Sequence, residues 1–189
     1  MGLEIRGAGG HLWEITRLGR GKVLSLSQGP QHQNTTKDDR SWSASDTQTP
    51  TGAGDYFFYM RNDSGLRRLV ITRLLVRGAG ADIVNLVGVT GTPAGGTTLA
   101  PLNRTVGSPK QPLDAVIQSG VDITGLTSTG SREVLFLGAA GLAERNMIEH
   151  PVVVPQGSAI ALVATTGTSA LQFLLDFYED LSDPQVVVV

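Results

Sequence analysis

Between Tyr56 and Tyr178 the chain is a succession of short strand-like runs separated by Gly, Pro, Asn, Asp or Ser, and no long helical period interrupts them. Tyr56-Phe57-Phe58-Tyr59-Met60-Arg61 is followed by Leu69-Val70-Ile71-Thr72-Arg73-Leu74-Leu75-Val76, then by residues 83–89, 151–155, 158–165 and 170–178. In extended backbone, successive side chains point to opposite faces. Several such runs with regular turn signals are the pattern of an all-β sandwich or barrel.

The faces can be read residue by residue. Tyr56, Phe58 and Met60 share one side of their run, and Phe57, Tyr59 and Arg61 share the other. Both sides begin apolar, as an interior strand requires. Asn62-Asp63-Ser64-Gly65 is a strong turn signal, so residues 66–76 are expected to return antiparallel in a hairpin. A second hairpin is expected between residues 159–164 and 171–177, across Thr165-Thr166-Gly167-Thr168. In the last run Leu171, Phe173, Leu175 and Phe177 alternate with Gln172, Leu174, Asp176 and Tyr178, which predicts one face in the core. Residues 113–123 and 132–137 are further strand candidates. Residues 90–112 contain Pro93, Pro101, Pro109 and Pro112 and read as a long irregular loop. Residues 139–147 have the composition for two helical turns, against which Gly138 and Gly141 argue.

The flanks differ from this body. Residues 1–10 hold four glycines and only Leu3 and Ile5 as sizeable apolar side chains beyond the initial Met. Too little surface is available there to fold alone, so the segment is either a disordered tail or an arm that orders on a neighbouring subunit. Residues 11–16 and 22–27 predict a small hairpin around Gly19-Arg20-Gly21. Residues 28–54 are polar and read as a long connection. Trp42, isolated within them, is either an anchor for a neighbour or a residue of the chain's own core. Val186, Val187, Val188 and Val189 form a β-branched run that either packs on the chain's own body or adds to a neighbour's sheet. The organisation expected is an N-terminal arm and hairpin for attachment (1–54), a β-sandwich (55–180) and an extended tail (181–189). Leu3, Ile5, Trp13, Trp42 and Val186 to Val189 are the candidate interface residues.

Composition narrows the function classes. With 189 residues and 40% hydrophobic content, one good-sized core is available. Charged residues make up only 17%, below the roughly 25% of ordinary soluble domains, which suits a surface covered in the working state. A net charge of −2 argues against broad electrostatic binding of nucleic acid. Arg67, Arg68, Arg73 and Arg77 are expected as solvated side chains around one strand. Cysteine is absent, which removes disulfides, thiolate metal sites and cysteine nucleophiles. No apolar run reaches the length of a membrane-spanning helix, and with Glu4 near the start and no apolar run behind it, no secretory signal is expected. The glycosylation-type tripeptides at Asn34, Asn62 and Asn103 then have no consequence.

No catalytic pattern emerges. His11, His32 and His150 stand far apart, and each lacks a second His at ligand spacing. A cupin-type His-x-His set is missing, although cupins share the double-sheet architecture. Gly107-Ser108 and Gly157-Ser158 read as turns and not as nucleophile elbows. Neither a Gly-x-x-x-x-Gly-Lys phosphate loop nor a dinucleotide fingerprint occurs. Carboxylates that a hydrolase could pair (Asp38, Asp39, Glu144, Glu149, Asp176, Glu179) are scattered along the chain. No cofactor is expected.

The residues from Asp55 to Asp180 resemble small virion proteins of tailed bacteriophages. The likeness lies in the aromatic strand with Asn62-Asp63-Ser64 and in Val89-Thr90-Gly91-Thr92-Pro93-Ala94-Gly95-Gly96-Thr97. It continues in Leu99-Ala100-Pro101-Leu102-Asn103, in Val154-Pro155-Gln156-Gly157-Ser158-Ala159-Ile160-Ala161-Leu162 and in the closing Phe177-Tyr178-Glu179. It covers about two thirds of the chain. The resemblance implies an antiparallel, Greek-key, jelly-roll-like sandwich with no catalytic residues, and residues 1–54, the extended N-terminal arm, lie outside it as the variable attachment segment. It implies a homo-oligomer, a trimer above all, made in the host cytoplasm and placed on the virion. There the partner is the major capsid protein lattice, which such a protein decorates or cements. A fibre or tail component that binds a receptor or glycan is the alternative, with residues 90–112 as its surface. Neither nucleic acid nor membrane is an expected partner.

Overall fold

A computed structural model of the protein describes residues 39–112, 114–138, 141–147, 150–167 and 169–181, together with the backbone of three short N-terminal strands. These three, β1 (Leu3–Arg6), β2 (Leu12–Ile15) and β3 (Gly21–Leu24), form a small antiparallel sheet in chain order. The hairpin expected around Gly19-Arg20-Gly21 is β2–β3. The backbone of β1 extends the sheet, with Ile5 opposite Trp13.

The body consists of β4 (Ser41–Gln48), β5 (Tyr56–Asn62), β6 (Arg67–Gly78), β7 (Asp82–Ala94), β8 (Thr97–Thr98), β9 (Leu102–Asn103), β10 (Ala115–Ser119), β11 (Thr124–Leu137), β12 (Leu142–Asn146), β13 (Val152–Val154), β14 (Ala159–Ala164) and β15 (Leu171–Leu181). No helix occurs among the described residues. Two antiparallel sheets result, β11-β7-β14-β5-β10-β8 and β12-β6-β15-β4-β9, with β13 beside β12 on the edge of β6. The fold is an all-β sandwich.

The core lies between the sheets. Phe173 projects from β15 against Phe57 and Phe58 of the facing sheet, at ring-centroid distances of 6.0 and 4.9 Å. Leu171, Leu175 and Phe177 line the same face of β15, as its alternation predicts, and all are buried. A second, smaller cluster of Tyr59, Val87, Val89, Ile123 and Ala161 forms apart from the main one.

Chain neighbours are not sheet neighbours here. β5 and β6, expected as a hairpin, belong to different sheets, and so do β14 and β15. Both strands of each pair carry buried apolar faces that fit opposite layers of one core. The turns between them are therefore corners that cross the sandwich. At the first corner the Asn62 carboxamide donates to the carbonyls of Arg67 and Val154, both at 2.9 Å, and accepts from the Ser64 amide at 3.0 Å. At the second, Asp82 Oδ1 accepts from the Thr166 amide and hydroxyl at 3.0 and 2.6 Å.

Three further expectations change. Residues 41–48, read as part of a polar connection, form β4, which pairs along its length with β15. The sandwich therefore starts at Ser41 and not near residue 55. Trp42 is 1% exposed, stacks on Phe177 at 5.8 Å and donates its indole N–H to the Lys110 carbonyl. It belongs to the chain's own core. Residues 90–112 are not a single loop, because β7 runs on to Ala94 and β8 and β9 follow. Pro93 is accommodated where the register of β7 against β11 is irregular, a place where a missing N–H costs no ladder bond. The described part of residues 139–147 is the strand β12, paired to β6, since Gly138 and Gly141 make a turn instead of continuing a helix. Val186 to Val189 lie outside the described residues, as do the side chains of Leu3, Ile5 and Trp13.

Candidate functional site

The feature with the geometry of a binding site is a cleft of about 600 Å³ at one edge of the sandwich. Its walls come from β7 and β11 on one side and from β13 and the start of β14 on the other. Three local departures from regular β structure open it.

The first is Gly88. Its alternation partners on β7, Val84 and Leu86, fill the core, but Gly88 contributes no side chain. A Cβ there would stand 2.6 Å from Thr129 Oγ1 and 3.3 Å from Arg132 Nη2. The other two are bulges in β11. Ser128 pairs with Val89 and Gly130 with Gly88, which leaves Thr129 as an extra residue. Ser131 pairs with Val87 and Glu133 with Leu86, which leaves Arg132 as another. A bulged residue is released from the ladder and its side chain is re-aimed. Both re-aimed side chains lie over Gly88 and line the cleft. Val152 and the exposed Val153 give it an apolar wall, backed by the buried Val154 and Ile160.

The other charged groups of the body are mostly engaged. Asp176 is nearly buried; its Oδ2 lies 2.7 Å from Arg104 Nη1 and 3.8 Å from Arg73 Nη1, and its Oδ1 accepts from Ser43 Oγ at 2.5 Å. Glu179, also buried, pairs with Arg67, while Asp180 pairs with Arg68 and Glu144 with Arg73. Three of the four arginines expected as solvated around β6 are thus in ion pairs. Of the carboxylates that a hydrolase could pair, Glu144, Asp176 and Glu179 are each held by an arginine, and Asp38 and Glu149 lie outside the described residues. Among the described residues no three His, Cys, Asp or Glu side chains gather as metal ligands.

Two polar features sit where the sheets meet or turn outward. Asp46 accepts from Ser119 Oγ at 2.6 Å and so ties β4 to β10 across the sandwich. Burial raises its carboxyl, but the hydrogen bonds from Ser119, Gln48 and the Thr47 amide outweigh it and hold the group below its ordinary value. Tyr59 stands opposite Gln118 in the β5–β10 register. The phenol oxygen of Tyr59 and Oε1 of Gln118 are both buried without a hydrogen-bond partner. Burial pushes the Tyr59 phenol up from its ordinary value, against the opposing charge of Arg61.

Of the residues singled out from sequence, Trp42 is in the core, and Leu3, Ile5 and Trp13 fall on the backbone of β1 and β2. Trp42 does not line the cleft. Gly88, Thr129 and Arg132 were not singled out. The signal present for them was Gly130 inside a strand, with a positive φ of 123°, since an interior glycine marks a bulge. Asn62, which opens one glycosylation-type tripeptide, has its carboxamide buried in the corner described above.

Exposed apolar side chains are the other surface feature. Phe136 on β11 and Leu142 on β12 are 73% and 61% exposed, and Leu102 on β9 and Val106 after it are 72% and 99% exposed. β11 and β12 close one edge of the two sheets; β9 lies at the other end of its own. No protein-family model, no curated protein and no solved structure matches this chain.

Proposed function

We propose that the chain is a non-enzymatic assembly module, a jelly-roll sandwich that decorates the capsid of a tailed bacteriophage as a homotrimer bound to the major capsid protein lattice. The winding supports the jelly-roll part of this reading. From β4 to β7 and again from β14 to β15, successive strands alternate between the two sheets, as two interleaved Greek keys do.

The observation that carries the assembly role is the placement of exposed apolar side chains on two different edges, Phe136 and Leu142 on one and Leu102 and Val106 on the other. A ring of identical subunits joins one patch of each copy to a different patch of the next. Exposed apolar residues at both edges of a weakly charged chain fit that arrangement.

The test is the solution mass by light scattering, followed by binding to capsids lacking the protein. A trimer that Phe136→Glu and Leu102→Glu each dissociate, with loss of capsid binding, is the expected result. A monomer that ignores such capsids removes the proposal.

A further inference from the structure

Arg61, Arg67, Arg68, Arg73, Arg104 and Arg145 each meet a carboxylate within 4 Å. Arg132 forms no ion pair among the described residues, and it is the cation that lines the cleft. We propose that this cleft binds an acidic saccharide, whose carboxylate is held by the Arg132 guanidinium.

The dimensions and lining select this class. At about 600 Å³ the cleft lies in the range of small-molecule sites. A guanidinium presents paired donors that match a carboxylate. One cation suits a monoanion; among the described residues no lysine and no second arginine line the space to balance a doubly charged phosphate. Thr90, Thr129 and Ser158 supply hydroxyls, and Val152 and the exposed Val153 supply apolar surface for the C–H faces of a ring. Among the described residues no aromatic side chain lines the cleft, so these residues give a neutral sugar no stacking surface and the charge must supply the affinity. An acidic peptide is the poorer occupant. Pro151 and Pro155 flank β13 and cannot donate to an added strand.

The bulges make the site specific to this strand. Thr129 and Arg132 are three residues apart, yet each is the extra residue of its own bulge, and the missing side chain of Gly88 is what lets both turn inward. Gly88→Ala places a methyl against both and displaces them from the mouth of the cleft.

Calorimetric titration of the full chain with D-glucuronate, N-acetylneuraminate, D-glucose, N-acetylglutamate amide and inorganic phosphate tests the assignment. Saturable binding of at least one acidic sugar and none of glucose is expected. Arg132→Gln is expected to weaken that binding more than about tenfold, the loss of a charged, paired hydrogen bond. Gly88→Ala should weaken it as well. Arg77→Gln removes an exposed arginine of β6 that does not line the cleft, and should leave it unchanged. Failure of both acidic sugars to bind at millimolar concentration overturns the proposal. So does equal weakening by Arg77→Gln, which would make the effect one of net charge. Tighter binding of phosphate or of the glutamate derivative would assign the cleft to another ligand and likewise overturn it.

Discussion

The Asn62 carboxamide donates to the main-chain carbonyl of Val154 at 2.9 Å, although 92 positions separate the two residues. It thereby fastens the corner between β5 and β6 to the end of β13. The Asn62 main chain completes the junction. Its N–H donates to Ser158 O at 3.1 Å and its carbonyl accepts from the Gly157 N–H at 2.7 Å.

Asn62→Ala is expected to destabilise the protein by about 3 kcal/mol or more. Two buried main-chain groups, the Val154 carbonyl and the Ser64 amide, and the half-buried Arg67 carbonyl would lose this partner, at about 1–3 kcal/mol for each buried group left unsatisfied. Urea unfolding followed by tryptophan fluorescence measures it. A loss below about 1 kcal/mol would mean that water replaces the carboxamide at the corner.

Truncation separates the segments. A chain starting at residue 39 is expected to fold, since it retains β4 and the body sheets. A chain starting at residue 49 is expected not to fold, because it strips β15 of a partner strand and the core of Trp42 and Ala44. Trp42→Ala alone should cost about 3–5 kcal/mol. Circular dichroism and thermal melts of the two truncations distinguish them, and a folded chain from residue 49 contradicts the role given to β4.

The tie between Asp46 and Ser119 predicts an acid response. The folded Asp46 carboxyl lies below its ordinary 3.8, so its ionised form is favoured by folding. That contribution is complete at neutral pH and is lost as pH falls below about 4 through the folded value. Asp46→Asn should lower stability at pH 7 while flattening the decline of stability in that acid window. Equal slopes for the two proteins would remove the assignment.

Tyr59 and Tyr178 predict the alkaline limb. Burial raises both phenols above their ordinary 10.0. The neutral form is then favoured by folding, so the stabilisation is complete below about pH 10 and is lost as pH rises through the folded values. Phenolate absorbance of the folded protein should show a late component. Tyr59→Phe should reduce that component and leave stability at pH 7 unchanged or raised by about 1 kcal/mol, because it removes a buried hydroxyl without a partner. A loss of more than about 1 kcal/mol would reveal that the hydroxyl is bonded after all, to Arg61 or to buried water.

The ribbon of β7 and β11 beyond the sheet offers a backbone test. Gly91 has a φ of 107°, and a Cβ there would lie 2.2 Å from the Gly125 carbonyl oxygen. Gly91→Ala is expected to cost about 1–3 kcal/mol from the left-handed backbone alone, with the clash in addition. Gly138→Ala, where a Cβ meets nothing within 4 Å, is the control, and both are read by thermal melts. Equal melting temperatures would show that the ribbon does not contribute to the cooperative unit.

Strand positions were legible in the sequence, and strand partners were not. The alternation of Leu171, Phe173, Leu175 and Phe177 reports a buried face, and that face is buried. Period-two patterning does not report which sheet receives a strand. Short polar turns such as Asn62 to Gly65 look the same whether the chain folds back beside itself or crosses a core, so both hairpins were misassigned. β4 is hard to read because one face carries only Trp42, Ala44 and Asp46, and the alternate set of Ser41, Ser43, Ser45 and Thr47 has the composition of a loop. The cleft was illegible for a related reason. It depends on two register shifts between β7 and β11, and register is a property of a pair of strands.

The pairing of β4 with β15 also sets a schedule for synthesis. β4 is the first strand of the body, and its long partner is the last. Until β15 has left the ribosome, β4 has only the two-residue strand β9 to pair with and is cut off from β6, and the growing chain must hold its earlier strands apart from wrong partners for the whole interval. Closure of so many remote pairings belongs to the slow regime, milliseconds to seconds. A nascent chain stalled before β15 emerges should therefore be open to proteases throughout, and it becomes resistant only when the final strand arrives.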